Sequence, residues 1–460
     1  MLSTLFRIAP VGLVLFAVGC ASFRPLPPAP QVPASGKPQT LAMIGTGPID
    51  ASTRERVTRQ LIALGADNML TTHLAAMQTV SDSPLIVGNR VQLLVDGPSA
   101  YQAMFAAIAA AREHVNIEMY IFDEAFHGKQ KLSDLLIERV THGVTINVLY
   151  DSVGSSNTPA DFLERLKNAG VTLCAFNPLT PTSKTMEFTQ RDHRKIVVVD
   201  GHRAFAGGIN FSSTYSSSSR RRTAKSIDAT KDGWRDTHIE VAGPVSAAMQ
   251  RLFLESWTKQ KCTDMPAREY VPASQDAGDT LLRLAAASAD SRRNEPYLAA
   301  LSAINAARHT VDLTMAYFAP DNQLEDAVRD AVQRGVRVRL LLSGLSDFNG
   351  IVEAGRAHYT RLLKAGVQIH EEQRVLLHAK TLEVDGIWST IGSANWDWIS
   401  FAHNDELNVE VIDKGFAARM RELFESDLAR ATPITLSEWR KRPLSRKLRE
   451  RFWVMWERVL

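Results

Sequence analysis

Along the chain, Ala-rich stretches repeatedly give way to short apolar runs, the pattern of helices feeding strands. Ala110–Phe122 (AAREHVNIEMYIF) makes this transition, and Ala306–Phe318 (AARHTVDLTMAYF) repeats it at an offset of 196 residues. Arg139–Val144 leads into a predicted strand over Thr145–Tyr150, and Val332–Val336 leads into one over Arg337–Leu342. Gly143 and Gly335 stand where helix C-caps belong. Leu166–Val171 and Leu362–Val367 make the same step once more. Alternating helices and strands, built twice, predict an α/β fold of two similar units.

The repeat also carries candidate chemistry. His193-x-Lys195, Asp200-Gly201 and Gly207-x-x-Asn210 recur as His378-x-Lys380, Asp385-Gly386 and Gly392-x-x-Asn395, every position offset by 185 residues. At strand period, His193 and Lys195 share one face while Ile196 and Val198 fill the other. Each Asp-Gly pair suits a tight hairpin turn, so Asp200 and Asp385 read as turn formers as readily as reactive groups. Two imidazoles, two ammonium groups and two amides suit the breaking and remaking of a phosphodiester. A neutral imidazole attacks phosphorus while a protonated one releases an alcohol, which is a reason to supply two. Asp236–Val241 (DTHIEV) and Glu406–Val411 (ELNVEV) form a further duplicated pair at an offset of 170. A carboxylate on the remote ring nitrogen fixes an imidazole's tautomer, so Glu406 is expected to support His193 and Asp236 to support His378 across the two halves. The competing reading is a pair of strand-edge carboxylates.

Composition changes this picture little. The 460 residues are 45% hydrophobic and 22% charged with a formal net charge of +3, which predicts a globular, two-domain chain and no strong polyanion signal. The ends say more. Arg7 precedes the apolar run Ile8–Val18, which stops at Gly19-Cys20 and reads as a signal segment over 1–19 with a lipid-attachment site at Cys20. Residues 20–45 hold that site and a Pro-rich tether expected to stay out of any packed core, and 46–82 a helical segment. The two repeated units are placed at 83–270 and 271–435, and 436–460 reads as a basic amphipathic tail. That tail carries seven Lys and Arg between Arg440 and Arg451, with Leu448, Phe452, Met455, Trp456 and Val459 at helical spacing. It suits a bilayer surface and, equally, an apolar face packed on the body. Arg220–Arg222 reads as a solvated loop. Cys174 is expected as a buried small residue, with pairing to Cys262 left open. His73, His114, His127, His142 and His309 lack ligand spacing, so no metal or cofactor is expected.

The doubled motif resembles the paired signatures of the phospholipase D superfamily. Its wording, His193-Arg-Lys-Ile-Val-Val-Val-Asp-Gly201 with Gly207-Gly-Ile-Asn210, and Leu377-His-Ala-Lys380 with Ile391-Gly-Ser-Ala-Asn395, looks most like bacterial cardiolipin synthases. The likeness runs from about Ser83 to Asp427. It implies two α/β/α domains packed about a pseudo-twofold axis, with both motifs meeting at one site. It also implies His193 as nucleophile through a phosphohistidine, His378 as general acid then base, and Lys195, Lys380, Asn210 and Asn395 around the phosphate. Asp200 and Asp385 count with the catalytic set by the same likeness. A phospholipid substrate, phosphatidylglycerol by the nearest wording, and a membrane surface are the implied partners. Nucleic acid is not expected, and the oligomeric state stays open. A second phosphatidylglycerol as acceptor gives cardiolipin; water gives a phospholipase D. Two features depart from the family: a two-helix membrane anchor is not seen, and Ile399 sits where Arg is frequent. A leader ending at Cys20 implies a lipoprotein facing the periplasm, on either membrane.

Overall fold

The computed structural model describes residues 26–31, 43–44, 47–48, 51–65, 69–178, 189–219, 233–289 and 294–457; Cys20, Arg220–Arg222 and Val459 lie outside them. Helices α1 (Ala51–Ala63) and α2 (Met69–Met77) precede the first unit. That unit comprises β1 (Ile86–Val95), α3 (Asp96–Ala109), β2 (His114–Met119), α4 (Leu132–Thr141), β3 (Thr145–Asp151), α5 (Ala160–Asn168), β4 (Thr172–Phe176), β5 (Lys195–Val199), β6 (Arg203–Gly207), β7 (Thr237–Ala242) and α6 (Pro244–Lys259). The second repeats it as β8 (Thr280–Ala287), α7 (Glu295–Ala306), β9 (Thr310–Met315), α8 (Asn322–Gln333), β10 (Arg337–Ser343), α9 (Asn349–Ala365), β11 (Gln368–Glu372), β12 (Lys380–Val384), β13 (Trp388–Gly392), α10 (Trp398–Ala402), β14 (Asn404–Ile412) and α11 (Lys414–Leu428). Strand β15 (Thr432–Ile434) and helices α12 (Leu436–Arg440) and α13 (Leu444–Val454) follow.

The sheet order, β15-β11-β10-β9-β12-β13-β14-β8-β1-β7-β6-β5-β2-β3-β4, reads the same from either side of its centre once β15 is set aside. There β8 and β1 pair antiparallel, with Leu282 opposite Ile86. The two halves are thereby related by a pseudo-twofold axis. Each keeps an apolar core of its own on one face. On the other face, Ile196, Val198, Ile239 and Val241 of the first half join Leu284, Ile391, Val409 and Val411 of the second in one shared core under α6 and α11. Both faces of the central strands are buried, so these strands read as near-continuous apolar runs.

Three sequence expectations need correction, and the pairing left open for Cys174 is resolved. The proline-rich stretch does meet the body: Leu26 and Ala29 pack against the second core, and Gln323 clasps the backbone, accepting from Ala29 N–H and donating to Pro27 O at 3.1 Å each. An extended proline-rich chain has no internal hydrogen bonds, which leaves its backbone groups available to a side-chain amide. Cys174, in the middle of β4, is bonded to Cys262 beyond α6, with Cα atoms 5.7 Å apart. His193 precedes β5 instead of lying within it. Finally, Asp200 and Asp385 stand apart from the histidines. With five residue steps from Lys195 to Asp200 along an extended strand, the separation is roughly 16 Å.

Those two aspartates do structural work. Asp200 and Gly201 adopt φ 51° and 68°, and Asp385 and Gly386 adopt φ 56° and 70°, the left-handed pair a tight hairpin requires. The Asp200 carboxylate accepts the N–H groups of Arg112, Glu113 and His114, each at 2.9 Å. Asp385 accepts those of Arg308, His309 and Thr310 at 2.8 Å. Each turn thus caps the chain where it enters β2 or β9. Asp200→Ala should lower stability by about 1–3 kcal/mol, because the N–H groups lose a charged acceptor. Urea unfolding measures that loss, and activity per folded molecule should stay within about twofold of wild type.

Candidate active site

The two motifs are held by a crossed arrangement. Arg191 and Asp192 pair parallel with Asn404 and Asp405 at the start of β14, and His193 N–H donates to Asp405 O at 2.9 Å. In mirror fashion Arg235 bridges Leu377, and His378 N–H donates to Arg235 O at 2.7 Å. Each histidine backbone is therefore laid against a strand entry of the opposite half. The residue that follows each of these backbone acceptors is a carboxylate. Glu406 places both oxygens 3.0 Å from His193 Nδ1, and Asp236 Oδ2 lies 2.8 Å from His378 Nδ1. With Nδ1 occupied, Nε2 is the nitrogen left on each ring for a substrate.

Lys195 and Lys380 fold back, each Nζ donating to the carbonyl oxygen of its own motif histidine, at 2.6 Å and 2.5 Å. Tyr120 stands edge-on to His193 at 4.9 Å with Lys195 5.1 Å from its ring; Tyr317 stands edge-on to His378 at 6.0 Å with Lys380 5.9 Å away. Asn210 accepts from Ile121 N–H at 3.1 Å, and Asn395 N–H donates to Ser400 Oγ at 2.9 Å. All of these side chains except the two tyrosines are almost wholly buried. The motifs also sense each other. Burial pulls the His193 pKa down, and Lys380 of the other half adds to the effect; burial, Lys380, Lys195 and His193 pull His378 well down. Burial brings Lys195 to about 7 and Lys380 to about 8, against the opposing pull of the nearby carboxylates. Both lysines become stronger cations when a phosphate anion sits between them.

Symmetry ends at the carboxylates. Burial pushes Glu406 up, but His193, Lys195 and the Ser393 hydroxyl overcome it and hold the group at about 2. Ser393 and Ser400 both donate to Glu406, each at 2.5 Å. At the positions offset by 185 residues stand Gly208 and Tyr215. A Cβ on Gly208 would come within 2.1 Å of Asp236 Oδ1, so no hydroxyl-bearing side chain fits there without displacing the carboxylate. Tyr215 places its hydroxyl 3.1 Å from His378 Nδ1. Burial raises Asp236, Lys380 only partly offsets it, and the group reaches about 6. Sequence reading missed Ser393, Ser400, Tyr215, Tyr120 and Tyr317. Ser393 had a signal, since it lies inside the second motif, and Tyr120 and Tyr317 had one in the repeated helix-to-strand segments that contain them.

Residues 104–222 and 300–428 match the family model described as cardiolipin synthase, PLD-like domain. The chain belongs to that family. It is 34% identical over 362 residues to Cardiolipin synthase A of Pseudomonas aeruginosa (strain LESB58), covering 79% of this chain and 71% of that protein. Against Cardiolipin synthase A of Pseudomonas entomophila (strain L48) it is 35% identical over 370 residues, covering 80% and 74%. Phosphatidylserine synthase of Haemophilus influenzae Rd KW20 shares the fold with TM-score 0.62 at 12% identity, over 83% of this chain and 98% of that one.

The unequal carboxylates set a pH dependence. The Asp236 carboxylate is present above about pH 6 and lost below it, while Lys195 and Lys380 lose their charge in the free protein above about 7 to 8. Turnover as kcat/KM should therefore rise through about pH 6 and fall through about 7 to 8. Asp236→Asn should abolish the acid limb. Glu406→Gln should leave its midpoint in place, and a shift with Glu406→Gln but none with Asp236→Asn would reverse the assignment.

Proposed function

We propose that the protein transfers a phosphatidyl group through a phosphohistidine, making cardiolipin from two phosphatidylglycerol molecules with release of glycerol. The observation that carries this reading is the pair of differently supported imidazoles. His193, with its ring proton on a fully ionised Glu406, presents a neutral Nε2 and keeps a counter-ion ready for the positive charge that a phosphorus bond brings. His378, whose Nδ1 faces the more basic Asp236 with the Tyr215 hydroxyl beside it, suits passing a proton to and from the substrate oxygen.

In the first step His193 Nε2 bonds to phosphorus and the bond to the glycerol headgroup oxygen breaks, with the proton of His378 Nε2 passing to that oxygen. Free glycerol leaves. In the second, His378 takes the proton of the terminal hydroxyl of another phosphatidylglycerol, whose oxygen bonds to phosphorus as the histidine bond breaks. Lys195 and Lys380 balance charge on the nonbridging oxygens, and Asn210 and Asn395 orient the group. Identity to proteins named Cardiolipin synthase A favours lipid as acceptor over water. The Cys174–Cys262 bond favours an oxidising compartment, in keeping with an exported lipoprotein anchored at Cys20 and facing the periplasm.

Purified protein incubated with phosphatidylglycerol should yield cardiolipin and glycerol in equal amounts, and His193→Ala should lower the rate by at least about a thousandfold. Phosphatidic acid without cardiolipin would make it a hydrolase. Cleavage of DNA with no lipid product would make it a nuclease-type phosphodiesterase.

A further inference from the structure

Helix α13 is mounted with its polar side inward. Glu450, on that side, is buried and bound by Arg442 at 2.7 Å, while Trp453 meets Phe348 with ring centroids 6.1 Å apart. The opposite side carries Leu444, Leu448, Phe452 and Met455, spaced 4, 4 and 3 residues apart, with relative exposures of 70%, 57%, 50% and 72%. The apolar face therefore does not pack on the body. Exposed cations Arg440, Lys441, Arg449 and Arg451 lie in or just before this helix. Both carboxylates between residues 440 and 457 are engaged internally, Glu450 with Arg442 and Glu457 with His358.

An apolar stripe bordered by cations, with its carboxylates turned inward, matches an anionic lipid surface better than a neutral protein partner. Two neighbours strengthen the match. Phe348, 40% exposed, joins α13 to the catalytic rim: Asp347 beside it accepts from Tyr317 OH at 2.5 Å, and Tyr317 stands against His378. The docked stretch 26–31 comes in just past the end of α13, where Leu26 and Glu457 line one cleft of about 250 Å³ with Trp398 and Phe401. Cys20 is six residues before Leu26, so an acyl anchor there reaches at most about 20 Å from this cleft.

We infer that the outward face of α13, with the half-exposed Phe348 at its edge, is the surface on which an anionic bilayer docks, so that the His378 rim opens toward the lipid. The choice of lipid as occupant depends on the proposed phosphatidyl transfer. The test uses the full chain carrying Cys20→Ser, with vesicles of equal phosphatidylglycerol and phosphatidylcholine, and pure phosphatidylcholine vesicles to measure binding by the leader. Leu448→Ser with Phe452→Ser should weaken binding to the mixed vesicles at least about tenfold, with the melting temperature unchanged. Arg449→Gln with Arg451→Gln should remove about tenfold or more of the phosphatidylglycerol dependence. Turnover of monomeric short-chain phosphatidylglycerol should survive in both variants. Undiminished vesicle binding by both would overturn the docking face, as would an apolar variant that only converts an oligomer to a monomer. Tight vesicle binding by wild type with no lipid turnover would sink the transferase reading and leave the docking face standing.

Discussion

A buried carboxylate facing the other half's histidine is the contact on which this architecture depends. Neither half can complete its own imidazole. His193 needs Glu406 from β14, and His378 needs Asp236 from the entry to β7. Removing one such partner would leave a buried polar group without compensation, so the crossed pairs tie domain packing to the chemistry of the site. The central β8–β1 pairing and the shared core hold the strand entries at the required separation. Short parallel bridges then align each histidine beside the strand entry that carries its carboxylate.

Duplication accounts for the site's composition, and departure from it makes the two sides of the site unequal. Two equal imidazole–carboxylate pairs would have no reason to divide nucleophile from acid. Here Ser393 and Ser400 surround one carboxylate, while Gly208 leaves the other with fewer donors and Tyr215 turns to the imidazole. The result is one fixed anion and one group that titrates near neutrality. The mounting of α13 puts a comparable asymmetry outside the site, since the first half offers no equivalent helix after α6 among the described residues.

The repeated fold was legible because its two periodicities, helical then strand, recur with matched turn residues. The Ala-rich helix into β2 and its copy into β9 are examples. The histidines, lysines and crossed carboxylates could be read because their spacing recurs across both halves. What spacing alone conceals is direction and distance. Asp200 and Asp385 travel with the motif in sequence, yet an extended strand carries them away from it and their carboxylates cap backbone. A helical stripe such as Leu448, Phe452 and Met455 shows that one face is apolar but not which way that face is turned. The disulfide and the docked proline-rich stretch join residues far apart in sequence, and local pattern has no means of pairing them.

The division of labour between the two imidazoles is tested most directly by trapping the covalent intermediate. His378→Ala and His193→Ala proteins would be mixed separately with phosphatidylglycerol, quenched under conditions that preserve phosphohistidine, and digested for peptide mass spectrometry. A phosphatidyl adduct on the peptide bearing His193 in the His378→Ala protein, and none on His378 in the other, is the result these geometries predict. An adduct on His378 in the His193→Ala protein, with His193 unmodified in its counterpart, would contradict it.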